Sequence, residues 1–234
     1  MTTTPTHPAR YSPTVLAALT VWVLAEADRL GRPVEVLDPF AGAGRIHTLA
    51  AGHPDRVRTT GVELEREWAD AHPGTVCADM RDALATGGAA VGPWDVIATS
   101  PTYGNRMADH HEARDASRRN TYRHRLGREL TAGNSGALQW GPEYRTFHAD
   151  AWARCAAVLR PGALLLVNVS DHIRKGSRVA VADWHAATLD ALGLVAVERL
   201  PIPTPRLRYG ANGAARVEAE ELLVYRRPAK VAGL

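Results

Sequence analysis

The chain has 234 residues, of which 45% are hydrophobic and 23% charged, with a formal net charge of +3. That composition excludes fibrous, collagen-like and fully disordered chains, and no run of about 18 apolar residues is present to span a membrane. The length suits one domain carrying an insertion, and the mild positive charge does not by itself identify a partner.

No internal repeat is found, and the first ten residues are polar. A helix is expected over 12–30, with Ser12 as N-cap, Pro13 at the first helical position and Gly31 as the stop. Its apolar part runs straight into Glu26, Asp28 and Arg29 without a cleavage-site pattern, so it reads as amphipathic rather than as a signal peptide. Strand 34–37, a glycine-rich turn 38–44 and helix 45–52 follow. Next come strand 59–62, helix 65–71, strand 75–78, a short helix 80–85 and strand 94–98. Helix 142–159 is expected to end at Arg160-Pro161-Gly162, ahead of a fully apolar strand 163–169, helix 179–192 and strands 194–200 and 221–225.

Short apolar strands alternating with helices predict a mostly parallel sheet covered on both faces. The last two strands have no helix between them and are expected to pair antiparallel across residues 201–220. One segment breaks the rhythm. Residues 102–141 carry turn formers, many arginines and little apolar periodicity, and such long irregular segments are usually functional.

Two cysteines, Cys77 and Cys155, lie outside any CxxC spacing. They predict reduced thiols rather than a disulfide framework or a structural zinc site, and with them a cytoplasmic location. Lys175 and Lys230 are the only lysines among 28 basic residues, which leaves 26 arginines. Arginine grips phosphates and base edges with its planar fork, although a GC-rich genome biases composition the same way.

Asp38-Pro39-Phe40-Ala41-Gly42-Ala43-Gly44 lies between a strand and a helix, at the sheet edge where open parallel sheets hold ligands. Gly42 and Gly44 permit close approach of the backbone. A dinucleotide fingerprint would have no leading acid and a third glycine, whereas His47 stands at that third place. An acid at Asp38 suits a ligand with a cationic amine. Glu63 closes the second strand, where it can accept from both ribose hydroxyls of a nucleoside. Asp79 closes the third, where it can meet an adenine amine. Three acids at successive strand ends suit S-adenosylmethionine.

The chain here resembles a family. Asp38-Pro-Phe-Ala-Gly-Ala-Gly44 is similar to the cofactor motif D-P-F-x-G-x-G of DNA amino-methyltransferases, and Ser100-Pro101-Thr102-Tyr103 to their catalytic motif, an Asp, Asn or Ser followed by P-P-Y. His7-Pro-Ala-Arg-Tyr-Ser12 resembles the segment flanking the cofactor's methionine end. The resemblance covers about residues 7–103 and 142–225. It implies a Rossmann-like class I methyltransferase fold over 1–234, an α/β domain with a mostly parallel seven-stranded sheet, a final antiparallel strand and helices on both faces. The segment at about 104–141 would be its basic, substrate-facing insertion.

An exocyclic base amine is a poor nucleophile because its lone pair is delocalised into the ring. The resemblance implies that Ser100 Oγ and the Pro101 carbonyl accept its hydrogens and draw it toward a tetrahedral form, while Tyr103 stacks on the base once it is rotated out of the duplex. Catalysis is then positioning for in-line attack with electrostatic support, without a metal or a covalent enzyme intermediate. Thr102 departs from the family's second proline, which would restrict the residue before it.

Asn105, Arg106, Arg118, Arg119, Tyr122 and Arg123 of the insertion are candidates for phosphate clamping and base-edge contacts. Arg206 and Arg208, in the loop between the last two strands, are candidates for the same role. Asp109-His110-His111 is read as a polar cluster rather than a metal site. The chain has no room for the family's large recognition domain, so recognition is expected to be short, relaxed, or supplied by a homodimer partner or a separate protein. The leading expectation is methylation of a DNA base amine, with cytosine N4 favoured slightly over adenine N6 on the serine. Alternatives are an RNA or protein-amide methyltransferase, a nucleic-acid-binding module that has lost catalysis, and, more distantly, a nicotinamide-dependent oxidoreductase.

Overall fold

Ser12 Oγ accepts the Val15 N–H at 3.2 Å and opens helix α1 (Pro13–Leu30), which Gly31 closes in the left-handed region. The computed structural model describes residues 5–104, 121–174, 176–204 and 217–229. After α1 come β1 (Val34–Asp38), α2 (His47–Gly52), β2 (Val57–Glu63), α3 (Arg66–Ala69), β3 (Thr75–Cys77), α4 (Met80–Ala83) and β4 (Trp94–Thr99). The described part of the insertion holds α5 (Tyr122–Leu126) and a 3-10 turn (Ser135–Ala137). The chain continues through α6 (Pro142–Val158), β5 (Leu159–Val169), β6 (His172–Arg174), β7 (Ser177–Val179), α7 (Val181–Ala191), β8 (Val195–Pro203) and β9 (Ala219–Arg226).

Seven strands form one sheet in the order β3-β2-β1-β4-β5-β9-β8. Strands β1 to β5 are parallel, and β9 runs antiparallel between β5 and β8. Successive side chains of a strand point to opposite faces, so strands covered on both sides need apolar residues at both parities. Val36, Val96, Ala98, Leu164 and Leu166 pack with Val15, Leu19 and Val23 of α1 on one face. Leu37, Ile97, Leu165 and Val167 pack with Trp152 and Cys155 of α6 and Leu189 of α7 on the other.

Four details differ from the sequence-based expectation. Arg160-Pro161-Gly162 does not form a separate stop: α6 passes directly into β5, and the Gly162 N–H donates to the Arg227 carbonyl at 2.9 Å, which extends the ladder with the chain end. Strand β5 is not fully apolar, because Asn168 interrupts it. The two-stranded sheet β6-β7 was not anticipated, its strands being three residues each. Strands β8 and β9 are longer than expected, since their ladder continues to the pair Pro203 and Ala219.

Candidate active site

The carboxyl ends of the parallel strands and the loops that leave them enclose a cavity of about 300 Å³. Its wall is built from residues 7–11 ahead of α1, Pro39–Ala43 after β1, Val62–Leu64 at the end of β2, Ala78–Met80 after β3 and Ser100–Tyr103 after β4. Asn168 of β5 and Glu220 of β9 complete the side beneath Ser100. Three segments separated in sequence, those around His7, Asp38 and Ser100, thus meet at one edge.

The glycine turn shows why its residue types are needed. Gly42 has a φ of 52°, and a Cβ there would lie 3.0 Å from the His7 ring. Its N–H donates to Glu63 Oε2 at 3.0 Å, while Glu63 Oε1 accepts from the Glu65 N–H at 2.8 Å. Burial raises Glu63 to about 7, and backbone donors at Glu65, Gly42 and Leu64 hold it back from rising further. Gly44 does not reach the cavity; it gives room to the stacked rings of His47 and His72.

Asp38 is also placed differently from the expectation that it faces a ligand amine. It is fully buried beneath the wall, where it accepts from Thr99 Oγ1 at 2.6 Å, the Tyr11 hydroxyl at 2.7 Å and the Phe40 N–H at 3.0 Å. Burial raises its pKa to about 6, and these three donors oppose the rise. Asp38 therefore ties the amino-terminal segment, the glycine turn and β4 together, and Tyr11 presents the edge of that network to the cavity.

Asp79 borders the cavity, but both its oxygens are engaged. Oδ1 accepts the Arg81 N–H and caps α4, and Oδ2 accepts from Arg81 Nη2 at 2.6 Å. Burial pushes its pKa up, and the Arg81 contacts outweigh that and leave it below the usual value. The Arg81 guanidinium in turn lies 5.0 Å from the Phe147 ring centre, so Arg81 supports Phe147, which lines the cavity as Met80 does.

The loop Ser100–Tyr103 is held from several sides. Thr102 Oγ1 donates to the Ser135 carbonyl at 3.1 Å, and the Thr102 carbonyl accepts from the Tyr144 hydroxyl at 2.6 Å. Ser100 Oγ and the Tyr103 hydroxyl lie 2.8 Å apart, and Asn168 Nδ2 donates to the Tyr103 hydroxyl at 3.1 Å and to Glu220 Oε2 at 2.7 Å. Tyr103 thus lines the cavity, as Phe40 and Phe147 do, with its hydroxyl held at Ser100 and Asn168.

The described part of the insertion is anchored rather than free. Glu65, fully buried, accepts from Asn134 Nδ2 at 2.7 Å, Arg128 Nη2 at 2.7 Å, the Thr131 N–H at 2.8 Å and Thr131 Oγ1 at 2.9 Å. Tyr122 was expected to contact substrate from a basic loop. It is buried against His7 and Trp68 and forms part of the cavity wall. Arg123 is half-exposed and lies 3.6 Å from Glu129. Asn105, Arg106, Arg118, Arg119, Arg206 and Arg208 lie outside the described residues, as do Asp109, His110 and His111. Among the described residues no group of three or more His, Cys, Asp or Glu could hold a metal ion, and no helix is long and apolar enough to cross a membrane.

Sequence reasoning missed Asn168, Glu220, Glu65 and Tyr144. Only Asn168 carried a signal, a single amide in the apolar run Ala163-Leu-Leu-Leu-Val-Asn-Val169. The other three take their roles from contacts distant in sequence.

No protein-family model matches the chain, and no curated protein matches its sequence. Among solved structures, it is similar to magnesium protoporphyrin IX methyltransferase from Synechocystis with bound SAM. That likeness has 10% identity, covers 94% of this chain and 86% of the other, and has a TM-score of 0.53. It is also similar to the N-methyltransferase NodS from Bradyrhizobium japonicum in complex with S-adenosyl-L-homocysteine, at 13% identity, 95% of each chain and a TM-score of 0.51. The chain has the Rossmann-like class I methyltransferase fold, with the antiparallel β9 inserted between β5 and β8.

Proposed function

We propose that this protein transfers a methyl group from S-adenosylmethionine to the exocyclic amino group of a DNA base, cytosine N4 in preference to adenine N6. The observation that carries this reading is the meeting of Ser100–Tyr103, the glycine turn and residues 7–11 around one cavity at the carboxyl edge of the sheet.

The chemistry of the wall fits the methyl donor. Glu63 offers a carboxylate to a ribose diol, with the Gly42 N–H keeping its side chain in place. Val62, Ala78, Met80 and Phe147 give the cavity apolar wall suited to an adenine ring, and Arg10 and Arg45, which also line it, carry guanidinium groups suited to an amino-acid carboxylate. Asp38 acts as a positioning residue through Tyr11 and Phe40. Held there, S-adenosylmethionine would supply a methyl group on a sulfonium sulfur; the sulfur would keep the bonding pair, the amine nitrogen would form the new bond, and the proton that the nitrogen then loses would pass to water.

The protein's own groups act on the amine. Ser100 Oγ and the Pro101 carbonyl accept its hydrogens and localise its lone pair on nitrogen, with the gain coming from orientation rather than from acid–base chemistry. Tyr103 leaves its place in the cavity wall and stacks on the extruded base. Arg123 and the arginines of the basic segments approach the phosphates.

The test is incubation of the pure protein with isotopically labelled S-adenosylmethionine and unmodified DNA, with RNA and a protein extract in parallel. Digestion and mass analysis are expected to yield labelled N4-methylcytosine or N6-methyladenine from DNA. Label in RNA or protein alone would move the substrate, and no label with the methyl donor still bound would overturn catalysis.

A further inference from the structure

Asn168 is 1% exposed, in the middle of an apolar strand. Its Nδ2 donates to Glu220 Oε2 at 2.7 Å and to the Tyr103 hydroxyl at 3.1 Å, and lies 3.4 Å from Ser100 Oγ. Its Oδ1 is buried with no partner among the described residues. The carboxylate decides the orientation, because Glu220 has only acceptors and turns the amide nitrogen, not the oxygen, toward the cavity. A buried amide left half-satisfied needs a reason, and a site that requires a donor at this place is one.

The Tyr103 hydroxyl indicates what that donor meets. It accepts from Asn168 Nδ2, and its own proton can go to Ser100 Oγ. A donor toward Ser100 beside an acceptor toward Asn168 is the pattern on one edge of cytosine, where the N4 amine adjoins the N3 lone pair, and of adenine, where the N6 amine adjoins N1. Guanine carries a hydrogen on N1 beside its N2 amine, which would place two donors against each other; the N3 acceptor on the amine's other side lies on the edge crowded by the sugar at N9, unlike N3 of cytosine and N1 of adenine.

We propose, on the reading of the site given above, that Asn168 is a specificity-determining residue. Its Nδ2–H donates to the ring nitrogen next to the methylated amine and selects cytosine or adenine over guanine. Glu220 holds the amide in the donating orientation. In this account the Tyr103 hydroxyl fills the place of the base edge until a base displaces it.

The test uses DNA duplexes in which the base labelled by the unaltered protein is replaced by its deaza analogue, 3-deazacytosine or 1-deazaadenine, which lacks the ring acceptor. The unaltered protein is expected to lose at least about tenfold in kcat/KM on the analogue, the effect of leaving a buried donor unpaired. Asn168→Ala is expected to methylate the normal and deaza duplexes at nearly equal, lowered rates, and Glu220→Gln to retain more discrimination than Glu220→Ala. The comparison on unaltered protein does not depend on how the variants fold. Equal rates of the unaltered protein on both duplexes, equal discrimination by Asn168→Ala, or label on guanine N2 would overturn the proposal while leaving base methylation standing. Absence of label from every unmodified duplex would remove the functional reading itself, and this inference with it.

Discussion

The Tyr144 hydroxyl donates to the Thr102 carbonyl at 2.6 Å and ties helix α6 to the loop that follows β4. It stands at the end of a buried relay. Trp152 Nε1 donates to His185 Nδ1 at 2.8 Å, which leaves Nε2 to carry the hydrogen toward Tyr144 at 3.0 Å. Burial lowers the His185 pKa well below its ordinary value, so the ring stays neutral and the relay keeps one direction. In the motif that this loop resembles, a proline at position 102 would limit the backbone. Here a hydroxyl bonded to Ser135 and a carbonyl bonded to Tyr144 supply restraint by hydrogen bonding.

Tyr144→Phe removes the donor to Thr102 and the acceptor for His185. We expect a loss of about 1–2 kcal/mol in stability, read by thermal unfolding. Turnover is expected to fall about tenfold while affinity for the methyl donor, read by calorimetry, stays within about twofold. Unchanged turnover would show that the Thr102 carbonyl needs no anchor.

Thr102→Val keeps the shape and deletes the hydroxyl bonded to Ser135. Stability is expected to change by about 1 kcal/mol or less, with turnover reduced several-fold. Thr102→Pro is expected to turn over faster than Thr102→Val, because the ring restores a restraint on Pro101 by covalent means. The reverse order would contradict the substitution of hydrogen bonds for a proline.

Much of this architecture was legible in the sequence. Helix α1 has its boundaries at Ser12 and Gly31, where capping chemistry is local. The sheet follows from apolar runs that satisfy both faces, as Val36 and Leu37 do in β1. The wall of the candidate site was legible wherever a turn motif marked it, at Gly42 and at Ser100. It was illegible wherever a side chain acts across distant segments. Asp38 was read as a ligand contact because its place after β1 is visible in sequence, whereas Tyr11 and Thr99, which take its lone pairs, are 27 and 61 residues away. Asp79 was read as an acceptor for adenine because Arg81 gives no sign in sequence that it will close on the carboxylate.

Glu63 gives a pH dependence whose sign follows from its environment. Burial raises it from 4.5 to about 7. Across that window the folded protein keeps a proton that the unfolded chain has released, so this group's contribution to stability declines as pH rises. His185, shifted the other way, weakens the fold as pH drops below its unfolded value of 6.5. Comparing Glu63→Gln with the unaltered protein isolates the first effect. The stability of the variant relative to the parent is expected to rise by about 3 kcal/mol between pH 4.5 and 8, measured by urea unfolding. Parallel stability curves would contradict the raised pKa.

Glu65→Ala leaves the Thr131 N–H and hydroxyl and the Asn134 amide without their shared acceptor, while Arg128 keeps its pair with Glu67. Leaving these donors unsatisfied is expected to cost about 2 kcal/mol. It should also speed tryptic cleavage at Arg123, Arg125 and Arg128. A variant as stable and as resistant as the parent would show that residues 127–134 are held by other contacts.

Methyl transfer to DNA by the unaltered protein and by Ser100→Ala, run side by side with labelled S-adenosylmethionine, tests the central claim most directly. The account predicts labelled N4-methylcytosine or N6-methyladenine from the unaltered protein. It predicts a rate at least about 100-fold lower from Ser100→Ala, as for loss of a group that acts on the reacting atoms, with affinity for the methyl donor unchanged. Equal rates from the two proteins, or label in RNA or protein but not in DNA, would contradict it.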